Sequence, residues 1–143
     1  MFMVGGKGGY IGHVFSGTVR TQLAQNQTAD NKTYTMINNG DSSFGNYSDG
    51  IQTYIKTTSV FDGTKGTNAT RLVERKNGVA QTLTFSGTVG TTTENNAGSV
   101  LTLCSSSIGF IDSQVGETMI YNKVLTAGEI TTIENYLLAK WGL

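Results

Sequence analysis

The chain has 143 residues, and its 10 Lys+Arg balance 10 Asp+Glu to a formal net charge of zero. With only 14% charged residues and no basic patch, it is excluded from binding that relies on phosphate charge. The length suits one domain, residues 1–143, able to bury roughly two-thirds of its unfolded surface.

Taken in chain order, most of the sequence reads as short strands. Gly9–Phe15 and Val19–Leu23 are predicted strands split by Ser16-Gly17, and a polar loop covers Ala24 to Asn31. Lys32–Ile37 is a short strand ended by Asn38-Asn39-Gly40-Asp41. A Ser/Gly/Asn/Asp-rich loop, Ser42 to Gly50, follows with Phe44 and Tyr47 embedded in it, and Ile51–Ile55 then alternates cleanly. Arg71–Lys76 and Val79–Phe85 flank Asn77-Gly78, the strongest short hairpin signal available. The basic residues of Arg71–Lys76, interrupted by Glu74, read as a solvated strand face. Val100–Cys104 and Ile108–Ile111 are predicted strands, and Val115 to Asn122 alternates as the last one.

The ending departs from this pattern. Thr126-Ala127-Gly128-Glu129 fits a capping box, and Leu125 and Ile130 have the spacing of a hydrophobic staple. Ile130, Ile133, Leu137 and Trp141 form one apolar stripe, Lys140 occupies the last turn and Gly142 the left-handed stop. Helix is expected only here. About nine or ten strands separated by turn signals predict an all-β, antiparallel two-sheet sandwich with one C-terminal helix. The chain has no proline, so Gly, Asn and Asp must make its turns, and 19 glycines suffice.

Other features carry little chemistry. Cys104 is the single cysteine, so no intrachain disulfide forms, and its apolar setting predicts a buried thiol. His13, the only histidine, lies among apolar residues and reads as structural. Gly5-Gly6-Lys7-Gly8-Gly9 lacks the Lys-Ser/Thr ending of a phosphate loop and reads as a turn. Asn26, Asn31, Asn46 and Asn68 begin glycosylation sequons, which chance explains in a chain so rich in Asn and Thr. The N-terminus has no secretory leader pattern, and no apolar run reaches transmembrane length.

Glu117-Thr-Met-Ile-Tyr121-Asn122-Lys-Val-Leu125-Thr126, then Glu129-Ile130, Ile133-Glu134, Tyr136-Leu137 and Ala139-Lys140-Trp141-Gly142-Leu143, resembles the C-terminal signature of laminin G-like domains of bacterial and phage proteins. These belong to the concanavalin A-like lectin/glucanase superfamily. The hairpin at Asn77-Gly78 and the strand near Gly98–Leu103 resemble the middle of such domains. The resemblance implies a two-sheet jelly roll. Members usually carry an extra strand before the segment that Met1-Phe2-Met3-Val4 resembles, so either the sequence is incomplete at its start or a sheet edge is left open, to be completed by a neighbouring subunit.

Glucanase members use closely spaced acids on one strand, and no such pattern occurs in this sequence. Asp112 and Glu117 are an odd five residues apart, which would place them on opposite faces of a strand; Glu117 is expected to be a structural acid. Laminin G-like domains often hold calcium at the rim, and Asp41, Asn46 and Asp49 are the expected ligands for Ca²⁺. Phe44, Asn46, Tyr47 and Asp49 are the expected glycan contacts, an aromatic face flanked by hydrogen bonders. The same loop reads alternatively as a solvated turn with one aromatic tucked inward.

These readings lead to a non-catalytic virion-type protein, a phage capsid decoration or tail component. Glycan adhesion would be an added role. The expected partners are other virion or surface subunits, as a homo-oligomer or bound to an assembly, with no nucleic acid and no membrane insertion. A stand-alone lectin-like module of a bacterial surface or secreted protein is the alternative.

Overall fold

The computed structural model describes residues 2–5, 10–14, 20–24, 32–39, 44–48, 55–92, 101–103, 105–106, 109–110 and 115–143. The described strands are β1 (Phe2–Gly5), β2 (Tyr10–Val14), β3 (Arg20–Ala24), β4 (Lys32–Asn39), β5 (Phe44–Ser48), β6 (Ile55–Phe61), β7 (Leu72–Lys76), β8 (Val79–Ala80), β9 (Thr84–Ser86), β10 (Leu101–Leu103), β11 (Ser105–Ser106), β12 (Gly109–Phe110) and β13 (Val115–Met119). A single helical turn, α1 (Asn68–Arg71), precedes β7, and α2 (Ala127–Trp141) ends the chain. The protein is thus mostly β, with antiparallel sheets and one C-terminal helix.

A five-stranded sheet has the order β13-β1-β6-β7-β8, and a six-stranded sheet has the order β10-β2-β3-β4-β5-β9. A small two-stranded pair joins β11 to β12. Residues of the two larger sheets meet. Ile37 of β4, Leu72 of β7 and Val89 form one buried cluster, against which Phe61, Leu83 and Phe85 pack. On the other side of the five-stranded sheet lies α2, whose Leu137 packs with Phe2 of β1, supported by Met119, Leu125, Ile130 and Ile133. Burying a side chain of this size contributes about 1.5–3 kcal/mol, which fixes where the helix sits.

The helix forms for the reasons legible in its sequence. The Thr126 side chain accepts from the Glu129 amide, and the Glu129 carboxylate accepts from the Thr126 amide at 2.7 Å. Those bonds, the Thr126 backbone one foremost, hold the Glu129 carboxyl down at about 2. Gly142 takes the left-handed conformation at φ 66°, and the Leu143 amide donates back to the Leu138 carbonyl. The Asn77-Gly78 turn also forms, with φ 47° and 84°, joining Lys76 to Val79.

Four local expectations are corrected. The stretch expected as a loop, Ser42 to Gly50, contains β5, whose residues pair with β4 on one side and β9 on the other. Val79–Phe85 is not one strand. Its Gln81 amide still donates to the Glu74 carbonyl, after which the chain crosses to the six-stranded sheet and packs the half-buried Leu83 and Phe85 against the shared cluster. Helix is not confined to the end, because Thr67 and Thr70 cap α1 reciprocally. Arg71–Lys76 is not a solvated face: Arg71 closes α1 and is buried, as is Glu74 of β7. Strand β6 begins at Ile55, where the expected strand ended; residues 51–54 lie outside the described residues.

Candidate functional site

Of the expected glycan and calcium residues, Phe44, Asn46 and Tyr47 lie on a strand rather than in a loop. Asp41 and Asp49 lie outside the described residues. Phe44, Asn46 and Tyr47 belong to β5, opposite Met36, Tyr34 and Thr33 respectively. Strand alternation therefore puts positions 44 and 46 on one side of the sheet and position 47 on the other. Asn46 is buried, and its side-chain amide donates to the Thr84 carbonyl at 3.0 Å. Its amide nitrogen is thus committed to holding β9 beside β5. No group of three His, Cys, Asp or Glu that could hold a metal occurs among the described residues.

Glu117 on β13 accepts from the Trp141 indole at 3.2 Å and pairs with Lys140 at 2.9 Å. The Lys140 bond keeps its carboxyl below the ordinary range. It acts as a structural tie between the sheet and the end of α2, at a partly exposed position rather than within the sandwich as expected. His13 lies on β2 opposite Thr21 and Leu101. Cys104, Asp112 and residues 6–9 lie outside the described residues. The Asn68 side chain donates to the Gly87 carbonyl and accepts from the Val89 amide, so it is a bracket between α1 and the segment after β9.

Chemistry that the sequence reading missed is concentrated under α2. Glu134 projects onto β6 and β7, where it forms an ion pair with Lys56 at 2.8 Å and accepts from the Thr58 hydroxyl at 2.6 Å. The Arg75 guanidinium donates to both of its oxygens at 3.1 Å and to the Gly78 carbonyl at 2.6 Å. The Lys56 side chain is 0% exposed and that of Glu134 is 3% exposed. Burial pushes the Glu134 carboxyl up, but the bonds from Lys56, Thr58 and Arg75 outweigh it and leave the group below its ordinary value. Burial lowers Lys56, against the pull of Glu134. A signal for this cluster does exist. Glu134 is four residues after Ile130 and three before Leu137, so it borders the buried stripe and requires a partner.

A second set of polar groups lies between the two large sheets. Thr35 of β4 donates to Glu74 of β7 at 2.6 Å, and Ser59 of β6 also bonds the carboxylate. Thr33, Thr35, Thr57, Ser59 and Glu74 are all buried. Glu74 Oε2 is buried without a hydrogen-bond partner. Elsewhere, the Arg71 guanidinium donates to the Lys65 carbonyl at 2.9 and 3.2 Å and to the Val89 carbonyl at 2.5 Å, closing the loop ahead of α1.

A cavity of about 440 Å³ opens between the end of β6 and the segment joining β13 to α2, lined by Phe2, Phe61, Ile120, Tyr121, Val124 and Ile130 among others. Charged groups at it are engaged locally. Asp62 accepts from the Thr64 amide and hydroxyl, and Lys123 pairs with Glu129 at 2.9 Å. The perturbed acids Glu74 and Glu134 do not line this cavity. Among the described residues, no helix is long and apolar enough to cross a membrane. No family model, curated protein or solved structure matches the chain.

Proposed function

We propose that this protein is a non-catalytic, virion-type structural or surface protein, a phage capsid decoration or tail component, built as a single-domain jelly-roll sandwich. The observation that carries the reading is where the polar chemistry goes. Glu134, Glu117, Arg71 and Asn68 each tie one element to another. Their bonds are directed at the protein's own backbone and side chains rather than toward a shared cleft, which suits a scaffold better than a reaction site. The sandwich reading is supported by the contacts between β4 and β7 and by antiparallel pairing throughout both large sheets.

The chain's ending resembles laminin G-like domains, and that resemblance supports the virion setting by analogy alone. Its partners in this reading are other subunits of the particle or further copies of itself, with host-glycan adhesion as an added role through the β5 region and position 49. Imaging an affinity-tagged chain in particle preparations tests the reading. Copies at regular positions on a larger assembly support it. An unassembled protein that gives strong, selective signals on a glycan array would replace it with the stand-alone lectin-like module. Calorimetric titration with Ca²⁺ decides the cation: heat with a thermal shift supports a site at Asp41, Asn46 and Asp49, and silence removes it.

A further inference from the structure

We propose that Glu74 is a proton-operated latch between the two large sheets, holding them together while its carboxyl is neutral and loosening them when it ionises. Glu74 on β7 pairs across the ladder with Ser59 of β6, and its side chain reaches the six-stranded sheet through Thr35. It is 1% exposed, so neither oxygen is open to bulk water. One oxygen accepts at 2.6 Å from Thr35, and the other, Oε2, is buried with no partner. An unpaired buried carboxylate is far costlier than an unpaired buried carboxylic acid, because the charged form loses much more hydration.

The surroundings favour the neutral form. From β4, Thr33 and Thr35 share the buried layer, and from β6, Thr57 and Ser59 do so; these side chains are uncharged. Lys76 is two residues along β7, opposite Thr57, and has an interaction of its own. The cations Lys56 and Arg75 belong to the other side of the sheet, where they are held by Glu134. Burial pushes the Glu74 carboxyl up to about 7, against bonds from Thr35 and Ser59 and the smaller effect of the amino-terminal charge. A carboxyl raised in the folded state stabilises fully below its unfolded value near 4.5, and the contribution is lost as pH rises through about 7.

The test is chemical denaturation of the wild-type chain and Glu74→Gln between pH 4 and 9. Glutamine keeps an acceptor for Thr35 and cannot ionise. Across that window the wild-type unfolding constant should rise by roughly 300-fold relative to the variant's, the ratio set by moving a carboxyl from 4.5 to about 7. The variant should match wild type near pH 4 and exceed its stability at pH 8. Parallel pH profiles overturn the latch. If the variant fails to fold, ¹³C-carboxyl NMR of the wild type decides: a Glu74 midpoint near 7 accompanied by shifts at Ile37 and Leu72 supports it, and a midpoint near 4.5 overturns it.

Discussion

Replacing Glu134 by alanine should be the most damaging single change on the helix side of the sheet. The substitution removes the acceptor for Thr58 and Arg75 and leaves Lys56, whose side chain is 0% exposed, without its counter-charge. Deleting one partner of a buried ion pair costs about 3–5 kcal/mol. A chain of 143 residues unfolds with an entropy of roughly 0.3 kcal/mol/K, so a loss near 4 kcal/mol lowers Tm by about 13 °C. The reverse deletion, Lys56→Met, should cost less than about 2 kcal/mol, because Glu134 keeps Arg75 and Thr58 and the cost of burying an ammonium is lifted. Combining Lys56→Met with Glu134→Leu should return stability to within about 1 kcal/mol of wild type. Urea denaturation followed by far-UV circular dichroism measures all three. If Glu134→Ala costs under 1 kcal/mol, or Lys56→Met costs as much as Glu134→Ala, the cluster does not clamp the helix as described.

Smaller perturbations test the other ties. Thr126→Ala removes the cap of α2 and should cost about 1 kcal/mol by the same assay. A Cβ at Gly116 would lie 2.8–3.0 Å from three atoms of the Trp141 indole, so Gly116→Ala should displace that ring, red-shift its fluorescence and destabilise by about 1–2 kcal/mol. Asn68→Ala leaves the Val89 amide without its acceptor, and a cost of about 1–2 kcal/mol is expected, with protease nicking in residues 62–67 as the local readout.

The parts legible in the sequence are those whose causes are local. Thr126, Glu129 and Gly142 act within a few residues, so the helix and both its ends follow from adjacent side chains. Asn77-Gly78 likewise dictates its own turn through two positive φ angles. Strand β5 was hidden because Phe44–Ser48 has turn-like composition, and pairing with β4 and β9 outweighs that local preference. The crossing after Ala80 depends on a burial site for Leu83 and Phe85 that distant strands create. The polar interior was least legible. Nothing beside Glu74 in the chain announces Thr35, 39 residues away, and the partners of Glu134 are 59 and 76 residues distant at Arg75 and Thr58. Alternation marks which face a residue occupies, but only the packing of sheet and helix decides whether that face meets water.

The architecture on which everything else depends is a five-stranded sheet that packs Phe2 against α2 and Leu72 against Ile37 of the six-stranded sheet. Methyl-resolved NOE spectroscopy on the isotope-labelled chain tests it most directly. Contacts from Leu137 to Phe2 and, separately, from Leu72 to Ile37 are expected, with none joining the two sets. Contacts from Leu137 to Ile37 or Leu72, or the absence of any between Leu72 and Ile37, would contradict it.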